Sequence, residues 1–422
     1  MSEETILTDD FLRELMNVGE VDILIGVPTH NSASTVGGVV QAIRAGLLKY
    51  FPRQRAAIIN ADGGSSDATQ ELVRAASISD AQHAAHPQAL RTLHSISTRY
   101  DGHPRSAKAL YTILAAADLL HPLACAVISA DSNLDPDWLP RLVQPVYHDN
   151  LDLITPLYRR HKFDGLLVRN LVYPTVRALY SKCVREPYPS EIAFSGRLAS
   201  HLLNFTPWSS EDLGFGGSEL LLTVAAINDG FRLAQVFLGN KDGVDHAPAD
   251  LVHAIRDGVG PLFWVLDHTP PVQPRPADCA SVLTIGGSAE FTEEPRRINR
   301  SRLFQLFANG VVELEPVLKS ILTGATLGEL QRGAAQGEAG FCYSDELWVR
   351  TIYEFAASYH KSVISRDHIV QALAPLYRGK IHTFLRENRD APSQEVERHL
   401  ETLCLVFERF RPYLTEVWNG RK

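Results

Sequence analysis

Two short loops near the start of this chain hold residues that suit a nucleotide. Pro28-Thr29-His30-Asn31 follows one apolar run, and Asp62-Gly-Gly-Ser-Ser-Asp67 follows a second. Nucleotide binding needs a carboxylate or amide near base and ribose, and a backbone that can come close. Gly63 and Gly64 permit that approach. The same residues also make plain turns with local side-chain hydrogen bonds. A third loop, Asp131-Ser132-Asn133, closes another apolar run. A divalent cation beside a diphosphate takes hard oxygen ligands, and Mg²⁺ often uses one or two carboxylates with phosphate and water. Asp131 can supply the carboxylate and Asn133 a carbonyl oxygen. An Asx turn is the alternative.

Cations and acids follow. Arg105 and Lys108 stand in DGHPRSAKAL, at the expected start of a helix. Their charge and the helix dipole suit a phosphate. Tyr158-Arg-Arg160, then Arg177, Tyr180 and Arg185, form a basic and aromatic stretch. An arginine fork is a natural partner for a carboxylate. In the segment Glu191-Ile-Ala-Phe-Ser195-Gly-Arg197, Glu191 can act as acid or base or pair with an arginine, and so can Glu219. His246 and His253 are metal ligands only if they come near Asp131, and surface residues otherwise.

The elements that must position these residues are legible in the apolar pattern. Val21–Val27, Arg55–Asn60, Leu90–Ser97, Ala124–Ala130 and Leu151–Leu157 read as strands, with helices predicted over Thr35–Leu48 and Ser106–Leu120. Such alternation is the mark of βαβ units and a parallel sheet. Open α/β sheets bind ligands at the C-terminal strand ends, where the unusual loops lie. Further on, Leu220–Gly230 reads as a helix and Arg232–Leu238 as a strand. Pro-rich, charged residues 267–300 suggest a connection, and helices dominate from Ser301 onward. The net charge of -8, over 41 basic and 49 acidic side chains, speaks against a nucleic-acid partner. No apolar run reaches the ~18 residues of a membrane span. The acidic N-terminus lacks a signal-peptide pattern, so a cytoplasmic location is expected. The five scattered cysteines read as idle thiols.

In order along the chain, PTHNSAS, NADGGSSDAT, Asp-Ser-Asn, LVYPTVRALY, REP with FSGRLA, and FRLAQVFLGNK resemble one family. It is that of the glucosylglycerate and glucosyl-3-phosphoglycerate synthases and their mannosyl counterparts. The likeness runs from about Val21 to Lys241 and continues more weakly at DELWVRTIYEFAASYH and APLYRGK. The resemblance implies an α/β GT-A fold, a mostly parallel sheet flanked by helices, with a helical C-terminal extension. It implies transfer of glucose or mannose from a UDP- or GDP-sugar donor to glycerate, 3-phosphoglycerate or a similar small hydroxy acid, with retention. Mg²⁺ or Mn²⁺ would neutralise the leaving diphosphate.

By the same resemblance, Pro28, Thr29, Asn31 and Asp62 contact the nucleotide and Asp131 the metal, with His246 in place of a displaced metal-binding histidine; Arg105 and Lys108 remain the candidates for the phosphates and Asn133 for a further metal ligand. The acceptor is expected near Arg177, Tyr180, Arg185, Ser195 and Arg197. Glu191 is the base if the reaction inverts. The chain departs from the family pattern at several points. Asn133 replaces a second aspartate, Pro104-Arg105-Ser106 replaces Gly-Lys-Gly, Pro189-Ser190 replaces Gly-Gly, and Gly216-Gly217-Ser218 replaces Gly-Ile-Asp. A nucleotide-sugar-binding relative without catalysis, acting as a scaffold, is therefore the alternative function. The expected organisation is a catalytic domain over 1–265, a connection over 266–300 and a helical extension over 301–422. The resemblance and the apolar C-terminal helices point to a homodimer, or to helices that pack on the catalytic domain.

Overall fold

The structure is a computed structural model that describes residues 7–78, 93–100, 107–204, 217–241, 251–270, 279–287, 291–292 and 298–420. It divides into two compact units. One comprises residues 1–157, 186–239 and 282–288, and the other 158–185, 240–281 and 289–422.

The first unit is built on a sheet. Its strands are β1 (Ile23–Thr29), β2 (Ala56–Asp62), β3 (Leu93–Arg99), β4 (Ala124–Ile128), β5 (Leu153–His161), β6 (Glu191–Ser195), β7 (Leu233–Asn240) and β8 (Leu283–Ile285). They lie in the order β3-β2-β1-β4-β6-β5-β7-β8. β1 and β2 are buried at every position, which is why their sequences read as unbroken apolar runs rather than alternation. β1, β2, β3 and β4 are mutually parallel. Successive strands step outward from β1 to β3, and β4 then returns to the other side of β1. That reversal opens a crevice at the C-terminal ends of β1 and β4.

The strand ends differ from the sequence reading in an informative way. β1 runs on through Pro28 to Thr29, because the ladder to β2 continues to the pair Thr29↔Asp62. Pro28 lies beyond Gly26↔Val127, the last rung to β4, so its missing N–H costs no rung on that side. β3 likewise runs to Arg99, paired with Asp62. β6 was not anticipated, and it is antiparallel to both β4 and β5. Its register sets Glu191 opposite Ile128 and Ser195 opposite Ala124. The two ends of this strand therefore face opposite edges of the sheet, about 13 Å apart at ~3.3 Å per residue.

Helices Val36–Tyr50 and Ala107–Leu120 follow β1 and β3. The second lies hard against β1, for a Cβ built on Gly26 would fall 2.5 Å from Ile113 Cδ1 and 2.8 Å from its Cγ1 and Cγ2. No helix among the described residues is long and apolar enough to cross a membrane.

The second unit is mostly helical. Helices Arg300–Glu313 and Arg366–Glu387 pack through two glycine contacts, Gly310 on Pro375 and Gly379 on Phe307. Trp264, Trp348, Tyr343, Tyr353 and Phe307 fill the interior. Helix Tyr173–Tyr180, preceded by the π-helical turn Val168–Val172, packs on helix Ser393–Arg409. The short strand β9 (Phe291–Thr292) pairs with Arg160 and His161 at the end of β5. Helices Tyr173–Tyr180 and Leu251–His268 group with the C-terminal helices, packing on Ser393–Arg409 and Arg366–Glu387 respectively. The cysteine reading is corrected in part. Cys183 and Cys279 form a disulfide with Cα atoms 6.2 Å apart, while Cys125, Cys342 and Cys404 are free.

The contact at Gly26 is testable. Gly26→Ala must displace Ile113 or β1, and is expected to cost about 1–3 kcal/mol of stability. Urea unfolding of the two proteins measures it, and equal midpoints would contradict the packing.

Candidate functional site

Three loops meet at the C-terminal edge of β1, β2 and β4. The backbone of Asn31 takes φ +51°, the left-handed region in which asparagine is tolerated. The turn points its groups at the loop after β2. Its N–H donates to Ser65 Oγ at 2.9 Å, and its Oδ1 accepts from the Ser66 N–H at 2.9 Å. His30 Nδ1 donates to Gly63 O at 2.7 Å, which leaves Nε2 to accept from Asn31 Nδ2 at 3.2 Å. Ala33 N–H donates to Asp67 Oδ2 at 3.1 Å, and Ser32 N–H to Thr69 Oγ1 at 2.8 Å. Across the crevice, Thr35 Oγ1 donates to Asp131 Oδ1 at 3.0 Å.

Asp62 organises this edge from below and is fully buried. It accepts from Thr29 Oγ1 at 3.0 Å, Ser65 N–H at 3.0 Å and Gln70 Nε2 at 2.9 Å, and from the Ser65 hydroxyl. Thr29 Oγ1 in turn accepts from Asn60 Nδ2 at 2.8 Å. Burial by itself raises the pKa of the Asp62 carboxyl. The hydrogen bonds of Ser65, Gln70 and Thr29 outweigh burial and hold it below the usual carboxylate value. Thr29 and Asp62, expected at the nucleotide, are both buried with their side chains hydrogen-bonded within the protein. Pro28 is likewise a buried strand residue.

Asp131 and Asn133 are exposed, as a pair of oxygen donors facing a ligand must be. One oxygen of Asp131 is held by Thr35. Between them, Ser132 donates its hydroxyl to the buried carboxylate of Glu191. The start of β6 is tied to the same loop by the Ser129 N–H to Ser190 O bond of 3.1 Å. Among the described residues, no group of three or more His, Cys, Asp or Glu could hold a metal ion. A carboxylate and an amide are too few donors for a closed site, but they are hard oxygens. They fit Mg²⁺ or Mn²⁺ if a diphosphate completes the shell.

The other expected residues lie in varied places. Lys108 is exposed in the first turn of helix Ala107–Leu120. Arg105 and His246 fall outside the described residues. β6 carries Ser195, and Arg197 just beyond it, to the sheet edge opposite Asp131. There Ser195 caps helix Gly196–Leu203, accepting from Leu198 N–H at 3.1 Å, and Arg197 grips Asp152 at 2.6 Å. The Arg177 guanidinium is buried and bonded to Glu401 at 2.6 and 2.7 Å and to Glu408 at 2.7 Å. Tyr180 donates its hydroxyl to Thr269 O at 2.8 Å, and Arg185 pairs with Glu397. These three hold the helical unit together.

Two groups of cations were missed or undervalued. Arg99, at the end of β3, lies against Gly64, its Nη2 3.5 Å from where a Cβ would sit. The sequence reading stopped this strand at Ser97, so Arg99 was not seen to share a level with Asp62. In the second unit, the Tyr158 ring carries Lys241 Nζ at 4.3 Å and Arg160 Cζ at 5.1 Å from its centroid. Arg160 also pairs through its backbone with Phe291, on whose ring Arg169 packs at 4.4 Å. Three cations thus stack on rings at or beside the end of β5.

Residues 24–171 match the model of Glycosyl transferase family 2. The chain therefore contains a domain of that family, and the match takes in all three loops of the site. No curated protein matches the chain. Among solved structures, it is similar to glucosyl-3-phosphoglycerate synthase from Mycobacterium tuberculosis. The complex with Mn²⁺, uridine diphosphate and glucosyl-3-phosphoglycerate shows 20% identity and a TM-score of 0.43, over 65% of this chain and 87% of that one. The complex with Mg²⁺ and uridine diphosphate shows 20% identity and 0.42, over 65% and 86%. Likeness at this level carries no residue role or substrate across.

The Asp62 node has a pH signature. Its folded pKa is below the unfolded value of about 3.9, so the folded state binds fewer protons. Its stabilisation is present above about pH 4 and is lost as pH falls through the folded value. Asp62→Asn is expected to lose about 1–3 kcal/mol at neutral pH and to show a flatter acid limb. Urea unfolding across the acid range measures both, and identical slopes would count against the assignment.

Proposed function

We propose that this chain transfers a hexose from a UDP- or GDP-sugar to the hydroxyl of a small hydroxy acid, glycerate or 3-phosphoglycerate, with retention. The observation that carries the reading is the convergence of the three loops. The Thr35–Asp131 bond of 3.0 Å joins the nucleotide loops to the exposed carboxylate across the switch point of the sheet. The family 2 match over the same loops supports the reaction class.

In this reading Asn31, Ser65 and Ser66 present the nucleotide surface, on a loop held by Thr29 and Asp62. Arg99 and Lys108 supply positive charge for the donor phosphates. When bound, a divalent cation neutralises the departing diphosphate, and Asp131 with Asn133 would hold it. In a same-face transfer the acceptor proton passes to a diphosphate oxygen, so no protein nucleophile is needed. Glu191, fixed by Ser132, holds the loop that carries Asp131, and it is the base if the product is inverted.

The test is release of nucleoside diphosphate from UDP- or GDP-hexoses, with Mg²⁺ or Mn²⁺ and glycerate or 3-phosphoglycerate. Asp131→Ala is expected to lower turnover at least about 100-fold. Tight nucleotide binding without turnover by the wild type would sink the transferase reading.

A further inference from the structure

We propose that Thr35 is a positioning residue for the cation-binding carboxylate, an inference that rests on the transferase reading above. Thr35 occupies the N-cap of helix Val36–Tyr50, where a threonine hydroxyl ordinarily accepts from a backbone N–H of the first turn. Here it makes no such bond. The backbone has made the cap by another route. Ser32 O accepts from Val36 N–H at 3.0 Å and from Thr35 N–H at 3.1 Å.

The hydroxyl is thereby released from helix capping. It has one proton and two acceptors in reach, Asp131 Oδ1 at 3.0 Å and Ser32 O at 3.3 Å. An ionised carboxylate is the stronger acceptor, so the proton goes to Asp131. Thr35 is the side chain that holds the Asp131 carboxylate among the described residues. The bond links positions 96 residues apart and occupies one carboxylate oxygen, leaving Oδ2 for a cation. Partners of this kind fix the rotamer of a metal ligand and sustain its affinity. Thr35 is itself anchored, through the Ser32 and Ala33 N–H groups, to Thr69 and Asp67 beyond β2. The carboxylate is thus tied to the nucleotide loops rather than free to turn in solvent.

The experiment measures binding, not turnover. Full-length protein is titrated with Mn²⁺ at saturating UDP, and free Mn²⁺ is followed by electron paramagnetic resonance. Thr35→Val is expected to weaken Mn²⁺ retention roughly five- to tenfold, and Thr35→Ser, which keeps the hydroxyl, to stay within about twofold of wild type. Thermal unfolding of both variants is expected to match wild type, because the cap does not use the hydroxyl. Wild-type affinity in Thr35→Val, or a Thr35→Ser as weak as Thr35→Val, overturns the positioning role. Where the wild type retains no Mn²⁺ with UDP the titration is repeated with GDP, and no retention with either overturns the transferase reading on which it rests.

Discussion

A single buried carboxylate holds the working edge of the sheet together. Asp62 ends β2 with no exposed surface, and an ion in that position is tolerable only if hydrogen bonds replace its water. Thr29, Ser65 and Gln70 supply them. Each bond has a structural consequence. The Thr29 bond locks the end of β1 to the end of β2. The two Ser65 bonds fold the glycine loop back over the strand end. The Gln70 bond draws in helix Thr69–Ile78. The loop so fixed then receives Asn31, and through the helix after β1 the arrangement reaches Thr35 and Asp131. The site is a surface feature whose geometry is set one layer down.

The same division of labour recurs in the helical unit. Arg177 and its glutamates look like ligand-binding residues by composition, yet they are buried against each other. Burial alone would lower the arginine's pKa. The hydrogen bonds of Glu401, Tyr173 and Glu408 reverse that and hold the charge in place. Such a pair fixes helix Tyr173–Tyr180 on helix Ser393–Arg409 with directional bonds that an apolar contact would lack. Near the end of β5, Arg160 and Lys241 stack on Tyr158, and Arg169 stacks on Phe291.

Topology decided which candidates work together. A five-residue antiparallel strand takes Glu191 to the edge that holds Asp131 and carries Ser195 and Arg197 to the other. Glu191 and Arg197 are only six positions apart in sequence, which invited their grouping. The direction of a strand separates them more effectively than any loop.

What the sequence determined by itself was whatever depends on local pattern. Unbroken apolar runs declared buried parallel strands, and Gly63-Gly64, Asn31 and Asp131 marked the loops at their ends. These signals survive because strand burial and turn chemistry are decided within a few residues. The tertiary structure decided the rest. It placed Asp62 and Thr29 beneath the surface, paired Arg177 with residues over 200 positions away, sent Thr35 to Asp131 instead of its own helix, and joined residues 158–185 to the C-terminal helices. Those outcomes turn on strand register and on which partner satisfies a buried polar group. Both are long-range choices that residue types and spacing leave open.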